Sequence, residues 1–326
     1  MKTVTLFYRI HPSGMALLEG RTDLRLTEVP RPSAAQFTEA LGTANAVLVA
    51  LENIGEAELA KAPNLEIISR FGVGYDAIDI PACSRRGIAV GVTNGGNDLA
   101  VAEHALSLML AVARRTVEMD QRVRSNHWGD RDGRPMGELA GRTVLVMGYG
   151  RIGTRVARLC AAFGMRVMVC DPDFPIPRIA ADGHIPVTEI AAVLPEVDVL
   201  TLHCPLSDRT RHLVNRETLS LMKPSAWLIN TARGGLVDEP ALADALTNGR
   251  LEAAGLDVLV REPPEANNPL FKLPNVVLSP HVAAAPIETF EKMSVRAAQN
   301  ILERFDGTLD RAFVVNPEVL PNRRNA

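Results

Sequence analysis

The sequence of 326 residues contains no long apolar run and no excess of charge of either sign. No stretch reaches the ~18 consecutive apolar residues that a transmembrane helix requires, so we expect no membrane span. Lysine and arginine together number 35 against 38 acidic residues, which gives a net charge of -3. This balance provides no basic surface for nucleic acid or for an anionic membrane, and neither partner is predicted.

Cysteine is scarce, and histidine forms no metal-binding pair. The four cysteines are widely spaced in apolar surroundings, which is typical of buried free thiols in a reducing cytoplasm: Cys83, Cys160, Cys170 and Cys204. Histidines and cysteines form no HxxxH or CxxC pair, so no metal is predicted. The N-terminal segment MKTVTLFYRIHPSG is only briefly apolar and lacks a cleavage site, so it is expected to form a first strand and not a signal peptide. These features predict a cytoplasmic protein.

Apolar, strand-like runs and longer helical segments alternate along the chain. The length of the chain suggests about two domains of ~150 residues. Apolar runs predict four strands in the first hundred residues, VTLFYRI, AVLVAL, EIISRFG and IAVGVT. Six more follow residue 140: TVLVMGYG, RVMVCD, VDVLTLHC, AWLINTA, AAGLDVL and NVVLSPH. Because helical segments separate strands that are apolar throughout, the pattern predicts an α/β fold with parallel sheets covered on both faces.

A long helical segment, DLAVAEHALSLMLAVARRTVEMDQRVRS, lies between the two groups of strands, with Asp98 as a candidate N-cap. We place one domain boundary before Asp98 and a second near Pro286, ahead of the last helix. The predicted domains are residues 1–97 plus 287–326, and residues 98–286. The ligand site is expected in the cleft between them, a common place for pockets.

The strongest motif is the segment VLVMGYGRIGTRVARLCAAFGMRVMVCDP. Its G-x-G-x-x-G, formed by Gly148, Gly150 and Gly153, follows a predicted strand and opens a predicted helix, and Asp171 ends the next strand at about the 20-residue spacing of a dinucleotide-binding fold. The glycines permit a tight turn, close approach of a pyrophosphate, and close helix–strand packing. The helix N-terminus offers N–H groups to phosphates. The charge of Asp171 would repel a 2′-phosphate, so NAD is predicted over NADP.

Three other side chains follow predicted strands of the same half. Arg233 comes after AWLINTA, Glu262 lies shortly after AAGLDVL, and His281 ends NVVLSPH. In open α/β sheets ligands bind beyond the carboxyl ends of strands, so these side chains could converge. Reduction of a 2-keto acid needs such a set: an imidazole to supply the proton, a carboxylate to favour imidazolium, and a guanidinium to hold the substrate. Taken singly, Arg233 could be a surface arginine in a turn and His281 a core histidine.

Several segments together resemble the NAD-dependent D-2-hydroxyacid dehydrogenase family. They are NLEIISRFGVGYDAID, AVAEHALSLMLAVARR, GYGRIG, TLHCPL, NTARGGLVDE, GLDV with EPP, and SPH, and they cover nearly the whole chain. The resemblance implies two doubly wound parallel-sheet domains, with a Rossmann NAD-binding domain inserted into a flavodoxin-like substrate domain. It also implies an enzyme that acts on a small 2-keto or 2-hydroxy acid, with glyoxylate and hydroxypyruvate as candidates.

The resemblance also assigns functions to residues. It implies that His281 is the acid/base, that Glu262 orients it, and that Arg233 binds substrate. Contacts with the cofactor are implied at the glycine motif and at the strand ends that follow it: Gly148, Gly150, Arg151, Ile152, Gly153, Asp171, His203, Thr231, Ala232, Asp257, Ala283 and Ala284. For His203, a strand-end histidine without such a contact is an open alternative, and for His104 in the long helix simple packing is the default interpretation.

Substrate contacts are implied in the first domain. The backbone of Val73 and Gly74 should grip the substrate carboxylate, and Asn97 matches a position that contacts it in the phosphoglycerate branch. Family members are usually homodimers joined through the cofactor domain, with the helix from Leu99 to Met119 at the interface. Trp128 is expected in an arm that crosses the partner.

Some departures from the family bear on the substrate. Phosphoglycerate enzymes carry a basic residue after the second of the strands predicted here, whereas this chain has Ala50-Leu51-Glu52, which argues against a phosphorylated substrate unless Arg9 compensates. A 3-phosphoglycerate dehydrogenase-like enzyme therefore stays an alternative. Another is an NAD(H)-sensing binding protein of the corepressor type. The formate dehydrogenase branch has Gln in place of the carboxylate partner of His, and Glu262 argues against it.

Overall fold

Two parallel sheets organise the chain. The computed structural model describes residues 1–129 and 135–321. Its contacts divide the chain into a first unit, residues 1–97 with 285–326, and a second unit, residues 98–284. Strands and helices are numbered along the chain below, and each unit is described separately.

The first unit contains a five-stranded parallel sheet. Its strands are β1 (Lys2–Leu6), β2 (Leu24–Glu28), β3 (Ala46–Val49), β4 (Ile67–Arg70) and β5 (Ala89–Gly91). Its helices are α1 (Pro12–Glu19), α2 (Ala34–Thr43), α3 (Glu56–Leu59), α4 (Ile80–Arg85) and α12 (Ile287–Phe305). The strand order β2-β1-β3-β4-β5 is that of flavodoxin-like doubly wound folds. The predicted class of this domain is confirmed.

The second unit contains a seven-stranded parallel sheet. Its strands are β6 (Thr143–Met147), β7 (Arg166–Cys170), β8 (Ile185–Pro186), β9 (Val199–Leu202), β10 (Trp227–Asn230), β11 (Ala253–Leu256) and β12 (Val276–Leu278). Its helices are α5 (Asp98–Arg114), α6 (Thr116–Arg124), α7 (Arg151–Ala162), α8 (Ile176–Ala181), α9 (Ile190–Val193), α10 (Arg216–Leu221) and α11 (Glu239–Thr247). The strand order is β12-β11-β10-β9-β6-β7-β8. Strands β7 and β8 lie on one side of β6 and strands β9 to β12 lie on the other, as in a Rossmann fold. The predicted Rossmann domain is confirmed.

The remaining regular elements are short 3-10 helices at Leu194–Glu196, Gly234–Leu236, Pro269–Lys272, Arg311–Phe313 and Pro317–Val319.

Burial of the central strands explains why their sequences are apolar throughout. Every residue of β6, β9, β10 and β11 is buried. One face of the sheet packs on a core that includes Leu200 and Leu256, and the other face packs with α5 and α7 on a core that includes Tyr149 and Trp227. The order of the strands places the carboxyl ends of β6, β9 and β10 side by side, where the candidate site residues follow.

The predicted helix over residues 98–125 is two helices. Arg115 has a φ of 51°, the left-handed conformation that a helix cannot continue through, and it separates α5 from α6. The helical periodicity of the sequence does not reveal this single residue. None of the helices within residues 1–129 and 135–321 is long and apolar enough to cross a membrane.

Candidate active site

The turn from β6 into α7 brings the backbone close to the neighbouring strand. Gly148 has a φ of 93°, and a Cβ there would lie 2.7 Å from the amide nitrogen of Cys204, just after β9. A Cβ at Gly153 would lie only 1.9 Å from the carbonyl oxygen of Gly148. Both positions therefore require glycine, and the helix packs closely on the strand as the motif predicts.

The N-terminus of α7 is open. Gly150 is its N-cap, and no side chain from the described part of the chain caps the helix. A Cβ built at Gly150 would meet nothing within 4 Å. The first turn of α7 therefore has room beside Gly150 and no side-chain cap among the described residues, and its positive end suits an anionic group such as a pyrophosphate.

Asp171 lies directly after β7 and is joined to the glycine turn. Its Oδ2 accepts a hydrogen bond of 2.6 Å from the amide of Tyr149, and its Oδ1 accepts one of 2.9 Å from the amide of Asp173. Tyr149 is itself anchored, because its buried ring donates through the hydroxyl to Asp182 at 3.0 Å. The carboxylate of Asp171 is therefore held beside the turn, where ribose hydroxyls of a dinucleotide could reach it.

The loops that follow β9 and β10 each carry a buried polar atom without a hydrogen-bond partner within the described ranges: Nδ1 of His203 and Oγ1 of Thr231. The other ring nitrogen of His203, Nε2, lies 2.8 Å from Oγ1 of Thr201. Burial lowers the pKa of His203 to about 3, so the ring is neutral at physiological pH. Because buried polar atoms are normally paired, these two fit the edge of a site that binds a polar ligand.

Arg233 follows β10 in a loop fixed by a buried asparagine. Asn230 accepts from the amide of Ala232 at 3.0 Å and donates to the carbonyl of Arg233 at 2.9 Å. A Cβ at Gly234 would lie 2.0 Å from the carbonyl carbon of Leu259, so this loop presses on the loop after β11. The half-buried guanidinium donates to the carbonyl of Ala232 at 2.7 Å. The close approach of Gly234 to Leu259 places the Arg233 loop next to the loop that leads to Glu262.

Glu262 and His281 form a direct pair. Oε2 of Glu262 lies 2.6 Å from Nδ1 of His281, and Oε1 accepts from the amide of Leu259 at 3.1 Å. The two side chains keep 27% and 30% of their surface exposed, so the pair is open to solvent and to a substrate. With Nδ1 engaged by the carboxylate, Nε2 is the ring nitrogen that can exchange a proton with a ligand.

Asp257 is buried under the loop that carries His281. Its Oδ1 accepts from the amide of Val282 at 2.9 Å, and its Oδ2 accepts from the amide of Ala283 at 3.0 Å. Ala283 is buried, and Ala284 after it is half-buried. The structure therefore shows Asp257 holding the loop in place through its side chain.

The predicted substrate residues lie at one edge of the first unit's sheet. Val73 and Gly74 follow β4, and Asn97 follows β5, which is hydrogen-bonded to β4. Asn97 is buried, and its Oδ1 has no partner among residues 1–129 and 135–321. After β3, Oε2 of Glu52 accepts from the amides of Ala50 at 2.6 Å and Leu51 at 3.0 Å.

Sequence reasoning missed two residues of these loops. In the sequence, Asn230 falls within the predicted strand AWLINTA and carries no signal of its own, although its side chain holds the Arg233 loop. Arg70 ends β4, and its guanidinium donates to the carbonyl of Phe71, two residues before Val73. The argument that singled out Arg233, a cation at the end of a buried strand, would have found Arg70 too.

The fold and these strand-end loops define a dinucleotide-binding α/β protein with a carboxylate–imidazole pair after β11 and β12 of the same sheet. The family model for the NAD-binding domain of D-isomer-specific 2-hydroxyacid dehydrogenases matches residues 106–283. The chain is 38% identical to a glyoxylate reductase of Thermofilum pendens, over 97% of this chain and 95% of that protein. It is 37% identical to a D-3-phosphoglycerate dehydrogenase of Mycobacterium tuberculosis, over 98% of this chain but only 61% of that protein.

Among solved structures, the NADPH-dependent glyoxylate/hydroxypyruvate reductase of Sinorhizobium meliloti, in complex with NADP and malonate, superposes with a TM-score of 0.87 at 31% identity, over 100% of this chain and 99% of that one. The chain belongs to the D-isomer-specific 2-hydroxyacid dehydrogenase family. It is an NAD-dependent oxidoreductase that acts on a CH–OH group. The family, the enzyme class and the cofactor predicted from the motifs are confirmed.

Proposed function

We propose that this enzyme reduces glyoxylate, hydroxypyruvate or a similarly small 2-keto acid with NADH, and oxidises the corresponding D-2-hydroxy acid in reverse. The observation that carries the proposal is the 2.6 Å pair between Glu262 and His281, beside the loop of Arg233. The names of the Thermofilum pendens and Sinorhizobium meliloti relatives favour the same substrates.

In this proposal each side chain of the site has a separate function in the reduction. Bound NADH supplies the hydride for C2 of the keto acid. Arg233 binds the substrate and stabilises the charge that develops on its carbonyl oxygen. Nε2 of His281 donates the proton to that oxygen, and Glu262 stabilises the protonated ring through Nδ1 and fixes its orientation. Backbone amides of Val73 and Gly74, with the amide group of Asn97, bind the carboxylate in this proposal.

The cofactor contacts are proposed at the residues that the geometry leaves ready for them. Gly150, Arg151 and Ile152 cradle the pyrophosphate, and Asp171 binds the adenosine ribose. Thr231 and His203 supply their unpaired polar atoms. The carboxylate of Asp171 disfavours a 2′-phosphate, so we propose NADH over NADPH, in contrast to the relative from Sinorhizobium meliloti.

Glu52 argues against a phosphorylated substrate. The amides of Ala50 and Leu51 point in one direction, as they would to bind an anion, and both already bond to Oε2 of Glu52. A phosphate there would have to displace a carboxylate and face its charge.

The test is NADH oxidation against a panel of keto acids, followed at 340 nm: glyoxylate, hydroxypyruvate, pyruvate and 3-phosphohydroxypyruvate. We expect turnover with the first two and little with the phosphorylated acid. Preference for the phosphorylated acid would favour the phosphoglycerate alternative. Tight NADH binding without turnover of any acid would favour a sensor of the corepressor type.

We propose in addition a cytoplasmic homodimer joined through the second unit. All four cysteines are unpaired, and three of them are buried, which suits a reducing compartment. Exposed apolar side chains on α6 and after it, Val117, Val123 and Trp128, support an interface with a second copy.

A further inference from the structure

We infer that His104 is a positioning residue for catalysis: through Ser279 and Asp257 it holds the loop that presents His281. His104 lies on α5, far from that loop in the sequence, and the inference rests on the proposed proton transfer by His281. Its effect would come through hydrogen bonds and not through contact with substrate.

The first link joins His104 to a serine and a buried carboxylate. Nε2 of His104 lies 2.8 Å from Oγ of Ser279 and 3.3 Å from Oδ1 of Asp257. The hydroxyl of Ser279 donates to Oδ1 of Asp257 at 2.6 Å. Because that hydroxyl proton is already used, Nε2 must carry a hydrogen and donate it to Ser279.

The second link runs from Asp257 to the catalytic loop. The side chain of Asp257 has no exposed surface, and its two oxygens accept from the amides of Val282 and Ala283. Its carbonyl oxygen accepts from the amide of His281 at 2.8 Å. His281 has a φ of 54°, a left-handed conformation that costs free energy for a residue with a side chain. The bonds to Asp257 on both sides of this residue hold it there.

Close packing of α5 on β11 explains how His104 reaches this network. A Cβ at Gly255, in β11, would lie 3.0 Å from Cβ of Leu108 and 3.5 Å from Cγ2 of Val112. Glycine therefore lets the helix approach the strand. His104 lies one turn before Leu108 on the same helix face, which places it over the end of the strand, where Asp257 follows.

The charge of Asp257 depends on these bonds. Burial raises the pKa of this carboxyl, but hydrogen bonds from His104, from Ser279 and from the amides of Val282 and Ala283 outweigh burial and lower it. The carboxylate therefore stays ionised, the form that can accept all of the loop's amide bonds. Without the histidine, Ser279 would lose the donor that orients its hydroxyl toward the carboxylate, and Asp257 would lose the neighbouring N–H group of His104.

The experiment compares His104→Leu with His104→Gln. Leucine fills the space without a donor, whereas the amide nitrogen of glutamine can donate from about the position of Nε2. We expect kcat for glyoxylate or hydroxypyruvate reduction to fall by about 10- to 100-fold in His104→Leu, because a small displacement of a catalytic group is costly. NADH affinity and Tm should stay near wild type. His104→Gln should recover most of the lost turnover.

Controls separate the possible outcomes. Glu103→Gln, at an exposed position on the same helix, should leave kcat unchanged. Ser279→Ala should resemble His104→Leu, and the double variant should be little worse than either single one, since one network is broken in each. Equal activity of the leucine and glutamine variants would overturn the inference, because packing alone would then explain His104. If His281→Ala kept turnover, the proposed function of His281 would fail instead.

Discussion

At the scale of single residues, the negative charge of Glu262 supports proton donation by His281. We predict that Glu262→Gln lowers kcat for keto-acid reduction by about tenfold or more. Glutamine can keep the hydrogen bond to Nδ1 but not the negative charge beside the ring, so the carboxylate no longer assists proton donation. The measurement is kcat and KM for NADH-dependent reduction of glyoxylate.

Glu265→Gln is the matched control for that charge. Glu265 pairs with Arg261, and both side chains are largely exposed, so its loss should leave kcat unchanged. A kcat that does not fall in Glu262→Gln, or that falls equally in both variants, would contradict a specific pair with His281.

Asp171 is predicted to set the preference for NADH. In Asp171→Ala the ratio of kcat/KM for NADH to that for NADPH should fall by roughly tenfold or more. The reason is that a carboxylate and a 2′-phosphate about 4 Å apart repel by about 4 kcal/mol at an effective dielectric of about 20. NADH affinity should fall too, because the amide of Tyr149 loses its acceptor. The control is Asp173→Ala, which removes a neighbouring, more exposed carboxylate and should leave the ratio unchanged. An unchanged ratio in Asp171→Ala would mean that another residue sets the preference.

The site residues that sequence could predict are those that end a strand. Asp171, Arg233 and His281 stand out because a charged or polar side chain directly follows an apolar run, and parallel strands end at one edge of a sheet. His104 carries no such signal. It lies in the middle of a helix, and its bond to Ser279 spans 175 positions in sequence, so only the packing of α5 on the sheet reveals it.

At the scale of elements, the burial of a strand determines whether it can be predicted from the sequence. The central strands are buried on both faces and read as continuous apolar runs. Strand β2 was not predicted, because it lies at the edge of its sheet, and only Leu24 of its five residues is buried. The two-residue strand β8 is also an edge strand and was missed for the same reason.

The junction of β6 and α7 allows a test that separates cofactor binding from folding. Gly150→Ala should keep the Tm of wild type, because the added methyl group meets no atom within 4 Å. It should nevertheless weaken NADH binding by at least about tenfold, since the methyl group would occupy the place where a pyrophosphate approaches the helix. NADH fluorescence titration and thermal unfolding measure the two effects.

Gly153→Ala should behave differently from Gly150→Ala. Its Cβ would lie 1.9 Å from the carbonyl oxygen of Gly148, so the turn must shift and both Tm and NADH affinity should fall. Undiminished NADH binding in Gly150→Ala would contradict the proposed pyrophosphate position, whatever Gly153→Ala does.

At the scale of the whole molecule, the alternation of strands and helices predicts parallel sheets covered on both faces, whereas the two doubly wound domains are implied by the family resemblance. Right-handed crossovers between parallel strands limit the possible strand orders but do not select one. The alternation of strands and helices does not predict the association of chains, because this periodicity reports burial within one fold and not which exposed faces meet a second copy.

Several apolar side chains of the second unit are exposed in the single chain, among them Val117 at 47%, Val123 at 52% and Trp128 at 70%. We predict that light scattering after gel filtration gives a mass near twice the chain mass of 35.2 kDa. The double variant Val123→Asp with Trp128→Asp should shift the molecule toward monomer, because two charges would be buried without partners at the interface.

Leu17→Asp supplies the control for that experiment. Leu17 is an exposed leucine on α1 of the first unit, so an added charge there should leave the dimer intact. The double variant should retain its helical circular dichroism, which shows that it folds. A wild-type chain that runs as a monomer, or a folded double variant that remains a dimer, would place the interface elsewhere or remove it from the proposal.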